Sequence, residues 1–168
     1  MKSLGFPVDQ GICSFAASSP FLLFTKKAIK IMRAESLNER VMEKYLISSS
    51  ISACQVHGFA SNDSPFTYGA WTLPETARCL SRLIAIPVKI GMDYETCHVN
   101  NCAGSTGGVE SENSSEANNA VVCWLRDSFQ FAIVVLLSDA ASLEGVETAI
   151  RTASGNVVKV KDPARVMQ

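Results

Sequence analysis

Hydrophobic residues recur at helical spacing in two parts of the chain. The first begins at Ser36-Leu37-Asn38-Glu39, a capping box in which the serine hydroxyl and the glutamate carboxylate each satisfy a free amide at a helix start. The apolar residues that share one face after it are Leu37, Val41, Met42, Tyr45 and Leu46. These signals predict a helix over about 37–48. A second helix is predicted to begin at the cap signal Thr72-Leu73-Pro74-Glu75 and to end before Pro87.

Alternating and continuous apolar runs predict five strands between and after these helices. They cover residues 51–60, 66–71, 88–99, 121–125 and 129–137. The run from Phe129 to Leu137 is nearly continuous and rich in β-branched residues, which is typical of a strand at the centre of a sheet. We therefore expect Ile133, Val135 and Leu137 or their neighbours to lie in the core.

A last helix is predicted from Ser138-Asp139 to a C-cap at Gly155. Its buried face would consist of Leu143, Val146, Ala149 and Ile150. The element order from residue 37 is then α-β-β-α-β-β-β-α. This order predicts an α/β (α+β) sandwich, in which helices flank a central five-stranded, mainly antiparallel sheet.

Charge separates the first residues from the rest of the chain. Residues 1–33 sum to +4 and the remainder to −5. We expect residues 1–35 to form a poorly ordered N-terminal extension, residues 36–155 the domain, and residues 156–168 a C-terminal tail. The extension is rich in serine and poor in acidic residues, so mitochondrial import stays open as an alternative to a cytoplasmic location.

Composition excludes several classes of protein. The 168 residues are 47% hydrophobic and 18% charged, which excludes a wholly disordered chain. The net charge of −1 gives no footprint for nucleic acid. No apolar stretch reaches about 18 residues, so no transmembrane segment is expected. Residues 100–119 are poor in apolar residues and rich in glycine, serine and asparagine, which predicts a flexible loop.

The cysteines and histidines are the candidates for chemistry. Cys97-His98 and Cys102 are zinc-ligand types, but a structural zinc site needs four ligands and no fourth stands at a usual spacing. Cys97 and His98 would also point to opposite faces of a strand. Cys54 or Cys97 could pair in space with His57 or His98 for nucleophilic catalysis, yet no sequence signature supports this. We therefore predict no metal, no cofactor and no enzymatic activity.

The order of elements from Glu39 to about Gly155 resembles that of profilin, the small actin-monomer-binding protein. The patches that carry the resemblance are Val41–Leu46, Val56–Trp71, Ile90–Tyr94, Gly107-Gly108, Phe131–Ser138 and Leu143–Ala153. They are similar, in turn, to the opening helix, the hairpin with an Asp-containing turn and a tryptophan-bearing strand, the Gly-x-x-Tyr strand, a glycine pair, and the closing strand and helix. The opening helix lacks the usual tryptophan near its start, and the closing helix lacks an aromatic residue.

The resemblance implies a cytoskeletal protein that binds monomeric actin and regulates filament assembly. The implied actin-binding residues, on the later strands and the closing helix, are Trp124, Arg126, Glu144, Glu147 and Arg151. Profilins also hold an extended proline-rich ligand on a platform of aromatic rings. Here only Tyr45 and Trp71 could supply rings, so we predict weak or absent binding of proline-rich ligands.

The same order of elements is also similar to that of the roadblock family of dynein light chains. In that comparison the segment from Phe131 to Ala153 resembles the last strand and helix. A roadblock-like protein would be a dimeric scaffold or regulatory module, and so again not an enzyme. The two resemblances imply different partners, because fold alone does not fix function.

Overall fold

A computed structural model describes residues 1–13, 17–48, 54–101, 131–138 and 148–160. The helices are α1 (Lys26–Ser36), α2 (Glu39–Tyr45), α3 (Ala60–Asp63), α4 (Pro65–Thr72) and α5 (Pro74–Ile84), with short 3₁₀ turns at Lys2–Leu4 and Asp93–Glu95. The strands are β1 (Leu46–Ile47), β2 (Gln55–His57), β3 (His98–Asn100), β4 (Thr148–Arg151) and β5 (Val157–Val160). Among the described residues, no helix has the length and apolar character needed to cross a membrane.

The chain divides into two compact units. The helix–sheet unit comprises Lys30–Thr72 and Ile90–Phe129, and the hairpin unit comprises Met1–Ile29, Leu73–Lys89 and Gln130–Gln168. The candidate site described below lies in the helix–sheet unit.

The helix–sheet unit contains a three-stranded antiparallel sheet with the order β1-β2-β3. Val56 at the centre of β2 is fully buried, and it forms the core with Val41 of α2 and Phe59. Val56 pairs with Val99, whereas the next pair is His57 with His98. Because side chains alternate between the faces of a strand, the two histidines lie on the face opposite the core valines.

Helix α2 begins two residues later than the capping box predicts. Asn38 is the N-cap, and its Oδ1 accepts a hydrogen bond from the amide of Arg40 at 3.0 Å. Asparagine is as good an N-cap as serine, so the choice depends on where the preceding helix stops. Ser36 is the last residue of α1, and its hydroxyl donates to the carbonyl of Arg33. The predicted helix over 37–48 is correspondingly shorter, because the chain enters β1 at Leu46.

Residues 66–71, predicted as a strand, lie in helix α4. Pro65 suits the first helical position, where its missing N–H costs nothing. The carboxylate of Glu35 accepts hydrogen bonds from the amides of Phe66 (3.1 Å) and Thr67 (2.8 Å) and from the Thr67 hydroxyl (2.6 Å). A negative charge at a helix N-terminus is favourable, because the free amides and the helix dipole are positive there. Glu35 thus supplies the cap, and the buried hydroxyl of Ser64 has no hydrogen-bond partner within the described part of the chain.

The predicted strand over 51–60 is also shorter than expected. Of its described residues only Gln55–His57 form a strand, and α3 begins at Ala60. The predicted strand over 88–99 contributes only its last two residues to β3, because the chain turns at Asp93–Glu95. Residues 49–53, like the predicted strand 121–125, lie outside the described ranges.

Helix α5 of the hairpin unit confirms the predicted helix before Pro87. Pro74 is its first residue and Ile84 its last, and the C-cap Ala85 has a left-handed φ of 58°. Thr76, Leu80 and Ile84 form its buried face, as expected for residues spaced by one helical turn.

Strands β4 and β5 of the same unit form an antiparallel hairpin, in which Ile150 pairs with Val158. The predicted closing helix is therefore wrong over Thr148–Arg151. Gly155 does adopt a left-handed φ of 86°, but it does so in the hairpin turn instead of at a helix C-cap. Residues 139–147 lie outside the described ranges.

The mixed helix-and-sheet class is confirmed, but the described residues do not form the predicted five-stranded central sheet. The described strands form two small antiparallel sheets, of three and two strands. Residues 131–138 have no regular secondary structure, and Ile133, Val135 and Leu137 are only half-buried. An apolar run predicts burial, but it does not supply a neighbouring strand.

The N-terminal segment contains more structure than its charge pattern implies. Helix α1 occupies Lys26–Ser36, and its Met32 is only 2% exposed. Near the start of the chain, the carbonyl of Leu4 accepts a hydrogen bond from the amide of Ala153 at 3.0 Å. The domain boundaries at residues 35 and 155 stay predictions.

Candidate metal centre

Three metal-ligand side chains meet at the end of the three-stranded sheet. His57 ends β2, His98 begins β3, and Glu95 belongs to the turn just before β3. The imidazole Nε2 of His57 lies 3.2 Å from Oε2 of Glu95, and the two histidine rings are 5.5 Å apart between centroids. One ligand atom from each of the three residues lies within 4.8 Å of the other two. We call this group the His/Glu cluster.

The cluster follows from the register of the sheet. Residues that face each other in an antiparallel pair have Cβ atoms about 4.5–5.5 Å apart, and β2 pairs with β3 so that His57 faces His98. The turn at Asp93–Glu95 then returns the chain across the end of β2. Its two backbone hydrogen bonds run from Glu95 to Met92 (3.1 Å) and from Thr96 to Asp93 (3.2 Å).

A tyrosine covers the cluster on one side. The ring of Tyr94 lies against His57, with 4.5 Å between ring centroids and 43° between ring planes. The same ring covers Gly58, where a glycine is required for two reasons. Its φ of +73° is left-handed, and a Cβ would lie 2.2 Å from Cε2 of Tyr94.

The turn at Asp93–Glu95 is also hydrogen-bonded to helix α4. The hydroxyl of Tyr68, on α4, donates to Oδ1 of Asp93 at 2.8 Å. This hydrogen bond to the carboxylate raises the pKa of Tyr68 above its usual value. Asp93 therefore keeps the tyrosine protonated, as a donor.

The cluster is open to solvent. The side chains of His57 and Glu95 are 18% and 29% exposed, and His98 is exposed. An ion bound here could be reached by water. Tetrahedral ligands at about 2.0–2.1 Å from zinc stand about 3.4 Å from one another. The separations between ligand atoms in the cluster, up to 4.8 Å, exceed this value by no more than about 1.4 Å.

Cys97 lies on the other face of the sheet. It packs against the core of Val41, Val56 and Phe59, whereas its neighbour His98 is exposed. Burial raises the pKa of the Cys97 thiol to about 11, and a hydrogen bond with Trp71 offsets only part of that rise. At neutral pH the thiol is therefore protonated, which argues against Cys97 as a nucleophile, because the thiolate is the reactive form. Cys102, which the sequence analysis weighs as a zinc ligand together with Cys97 and His98, lies outside the described residues.

A second polar group surrounds Asp63, at the end of α3. Its carboxylate accepts hydrogen bonds from the Tyr45 hydroxyl at 2.5 Å and from the Lys44 ammonium at 2.9 Å, and it pairs with Arg40 at 2.9 Å. The hydrogen bonds from Tyr45 and Lys44 lower the pKa of Asp63 below its usual value. This group joins α2 to α3, so we assign it a structural role.

The residues implied by the profilin resemblance are not brought together in the described part of the chain. Trp124, Arg126, Glu144 and Glu147 lie outside it, and Arg151 is exposed on β4 instead of on a closing helix. Tyr45 ends α2, with its hydroxyl bound to Asp63, and Trp71 is half-buried on α4 instead of on a strand. Weak or absent binding of proline-rich ligands stays a prediction.

Sequence reasoning named both histidines of the cluster but missed Glu95. The sequence analysis considers each histidine as a partner of Cys54 or Cys97, and not of the other histidine. Glu95 lay inside a predicted strand over 88–99 and gave no signal of its own. Only the turn at Asp93–Glu95 brings it to His57.

Comparison of the chain with known protein families, curated proteins and solved structures finds no match. The resemblances to profilin and to the roadblock family therefore stay predictions. So do actin binding, the absence of enzymatic activity and the cytoplasmic location.

Proposed function

We propose that the helix–sheet unit binds a divalent transition metal ion, Zn²⁺ in the first instance, through His57, Glu95 and His98. The observation that carries this proposal is the convergence of three ligand atoms within 4.8 Å, from three separate points of the chain fold. Two imidazoles and one carboxylate are a ligand set used by zinc sites that keep a fourth position open. The same set also suits ferrous iron.

The proposed site is of the open kind. It has three protein ligands and a solvent-exposed side, so a water molecule or an anion would complete the coordination of the ion. The function that follows is reversible metal binding at the protein surface, with one position free for an exogenous ligand. The sequence predicts no metal, because too few ligands stand at a usual spacing along the chain. The three ligands come together only through the pairing of β2 with β3 and the turn before β3.

Isothermal titration of the metal-free protein with Zn²⁺ tests the proposal. We expect one ion per chain and a weaker affinity in His57→Ala, Glu95→Gln and His98→Ala. Glu75→Gln is a matched control for the carboxylate, because Glu75 is exposed on α5 and belongs to the hairpin unit. Cys79→Ser is a control for zinc binding by an exposed thiol. Both controls should bind zinc like the wild type.

Two results would overturn the proposal. One is the absence of zinc uptake by the wild-type protein. The other is an affinity that survives replacement of both histidines, which would place the ion on the cysteines or elsewhere. In either case the hydrogen bond between His57 and Glu95 would have a structural role only, in holding the turn against β2.

A further inference from the structure

We infer that Tyr68 is a positioning residue of the metal centre, which holds the turn at Asp93–Glu95 so that Glu95 reaches His57. This inference rests on the proposed metal-binding function and adds to it a residue that touches no ligand. Tyr68 donates to Asp93 at 2.8 Å, and Asp93 is the first residue of the turn whose third residue is Glu95.

The turn needs such an anchor because its own backbone supplies only the two hydrogen bonds made by the amides of Glu95 and Thr96. It is one 3₁₀ turn of three residues, none of them buried, and 3₁₀ hydrogen bonds have poorer geometry than those of an α-helix. Two of its three residues contact the site directly: Tyr94 covers His57, and Glu95 bonds to it. Those two residues tie the turn to β2, and the bond from Tyr68 to Asp93 ties it to helix α4.

Helix α4 is a suitable point of attachment. Its first turn is bound by the carboxylate of Glu35, and Thr67, next to Tyr68, is only 2% exposed. Tyr68 itself is half-buried. The position of its hydroxyl is thus set by the helix and not by the turn that it holds.

The expected effect is that of a residue behind a metal ligand. Loss of a group that bonds directly to a metal ligand typically weakens metal affinity by about 10–100-fold. Tyr68 acts one step further out, through Asp93, so the lower end of that range is expected. Tyr68→Phe keeps the ring but removes the hydroxyl, so it should raise the Kd for Zn²⁺ about tenfold. Asp93→Ala should do the same. Asp93→Asn retains an oxygen that can accept from Tyr68, and it should bind zinc nearly as the wild type does.

A double-mutant cycle separates positioning from general loosening. If Tyr68 acts through Glu95, then Tyr68→Phe should cause no further loss of affinity in a protein that already carries Glu95→Gln. Tyr45→Phe is the matched control, because it removes a hydroxyl that is bonded to a carboxylate of the same unit, that of Asp63, and not to a residue of the turn. Its Kd for zinc should equal that of the wild type.

Hydrogen exchange of the metal-free protein provides a readout that does not depend on the ion. Tyr68→Phe should accelerate exchange of the Glu95 and Thr96 amides, which close the turn, and should leave the amide of Val56 in β2 unchanged. Absence of zinc binding in the wild type would overturn the proposed function. If the wild type binds zinc, the positioning role alone would be overturned by an unchanged Kd in Tyr68→Phe or by unchanged amide exchange of Glu95 and Thr96. Additive losses of affinity in Tyr68→Phe and Glu95→Gln would overturn it as well.

Discussion

Replacement of Gly58 by alanine tests the packing around the His/Glu cluster without removing a ligand. The new Cβ would lie 2.2 Å from Cε2 and 2.6 Å from Cδ2 of Tyr94. Ordinary contact between carbon atoms begins at about 3.5 Å. The ring must therefore move by at least about 1.3 Å, the difference between 3.5 Å and the 2.2 Å approach. Because this ring also packs on His57, the substitution should uncover one side of the cluster.

The cost has two parts. Placing a residue with a Cβ at the left-handed φ of Gly58 costs about 1–2 kcal/mol. Displacing Tyr94 from His57 loses an aromatic contact of about 0.5–1.5 kcal/mol. We therefore expect Gly58→Ala to lower the free energy of unfolding by about 2–3 kcal/mol.

Urea unfolding of four proteins measures the two parts separately: the wild type, Gly58→Ala, Tyr94→Ala and the double variant. In the Tyr94→Ala background the clash is absent, so Gly58→Ala should cost only the backbone strain. Gly155→Ala is a second control, because Gly155 has a φ of +86° and no atom within 4 Å of the added Cβ. If Gly58→Ala costs the same with and without the Tyr94 ring, the inferred packing of Tyr94 on Gly58 is wrong.

Four further outcomes are expected. Asp63→Asn should lower the free energy of unfolding at neutral pH but not in acid. The folded pKa of Asp63 lies below its unfolded value, so its contribution is present above the unfolded pKa and is lost as pH falls through the folded pKa. Urea midpoints that shift equally at pH 7 and pH 3 would contradict this. Cys79 is exposed, whereas Cys97 is half-buried against the core and burial raises its pKa. Iodoacetamide followed by peptide mass spectrometry should therefore label Cys79 before Cys97, and equal labelling would refute the packing of Cys97 on the core. Ser64→Ala removes a buried hydroxyl without a partner in the described part of the chain, so it should leave stability unchanged or raise it by about 1 kcal/mol, and a clear loss in thermal unfolding would reveal an unseen partner. If the profilin resemblance holds, the protein should slow pyrene-actin assembly and Arg151→Ala should weaken that effect; no sequestration in molar excess over actin would reject actin binding.

Elements whose signals are local could be predicted from the sequence. Helix α5 carries its own start at Pro74 and a buried face at Leu80 and Ile84, so nothing distant is needed to recognise it. Helix α4 also begins with a proline, Pro65, but Phe66, Tyr68 and Ala70 alternate as in a strand. The group that caps this helix is the carboxylate of Glu35, more than thirty residues earlier. The alternating aromatic residues therefore predict a strand.

The closing hairpin shows a second limit of pattern analysis. Ala149 and Ile150 fit a helical face together with apolar residues before them, and they fit a four-residue strand equally well. Pairing with β5 selects the strand over the helix. The alternation of apolar residues in β5 is visible in the sequence, but the strand with which β5 pairs is not. The candidate site has the same limit, because Glu95 meets His57 only through the pairing of β2 with β3.

The contact between Glu35 and Thr67 also bears on the order in which the chain folds. It joins residues 32 positions apart, and it encloses α2, β1, β2 and α3. Closing a loop of that length costs about 3 kcal/mol of chain entropy. An eight-residue helix such as α4 is too short to persist alone in water, since isolated helices below about 12 residues are marginal. Helix α4 should therefore form late, after α1 and the enclosed elements have come together. The cap would then be absent from the folding transition state, and Glu35→Gln should speed unfolding more than it slows refolding.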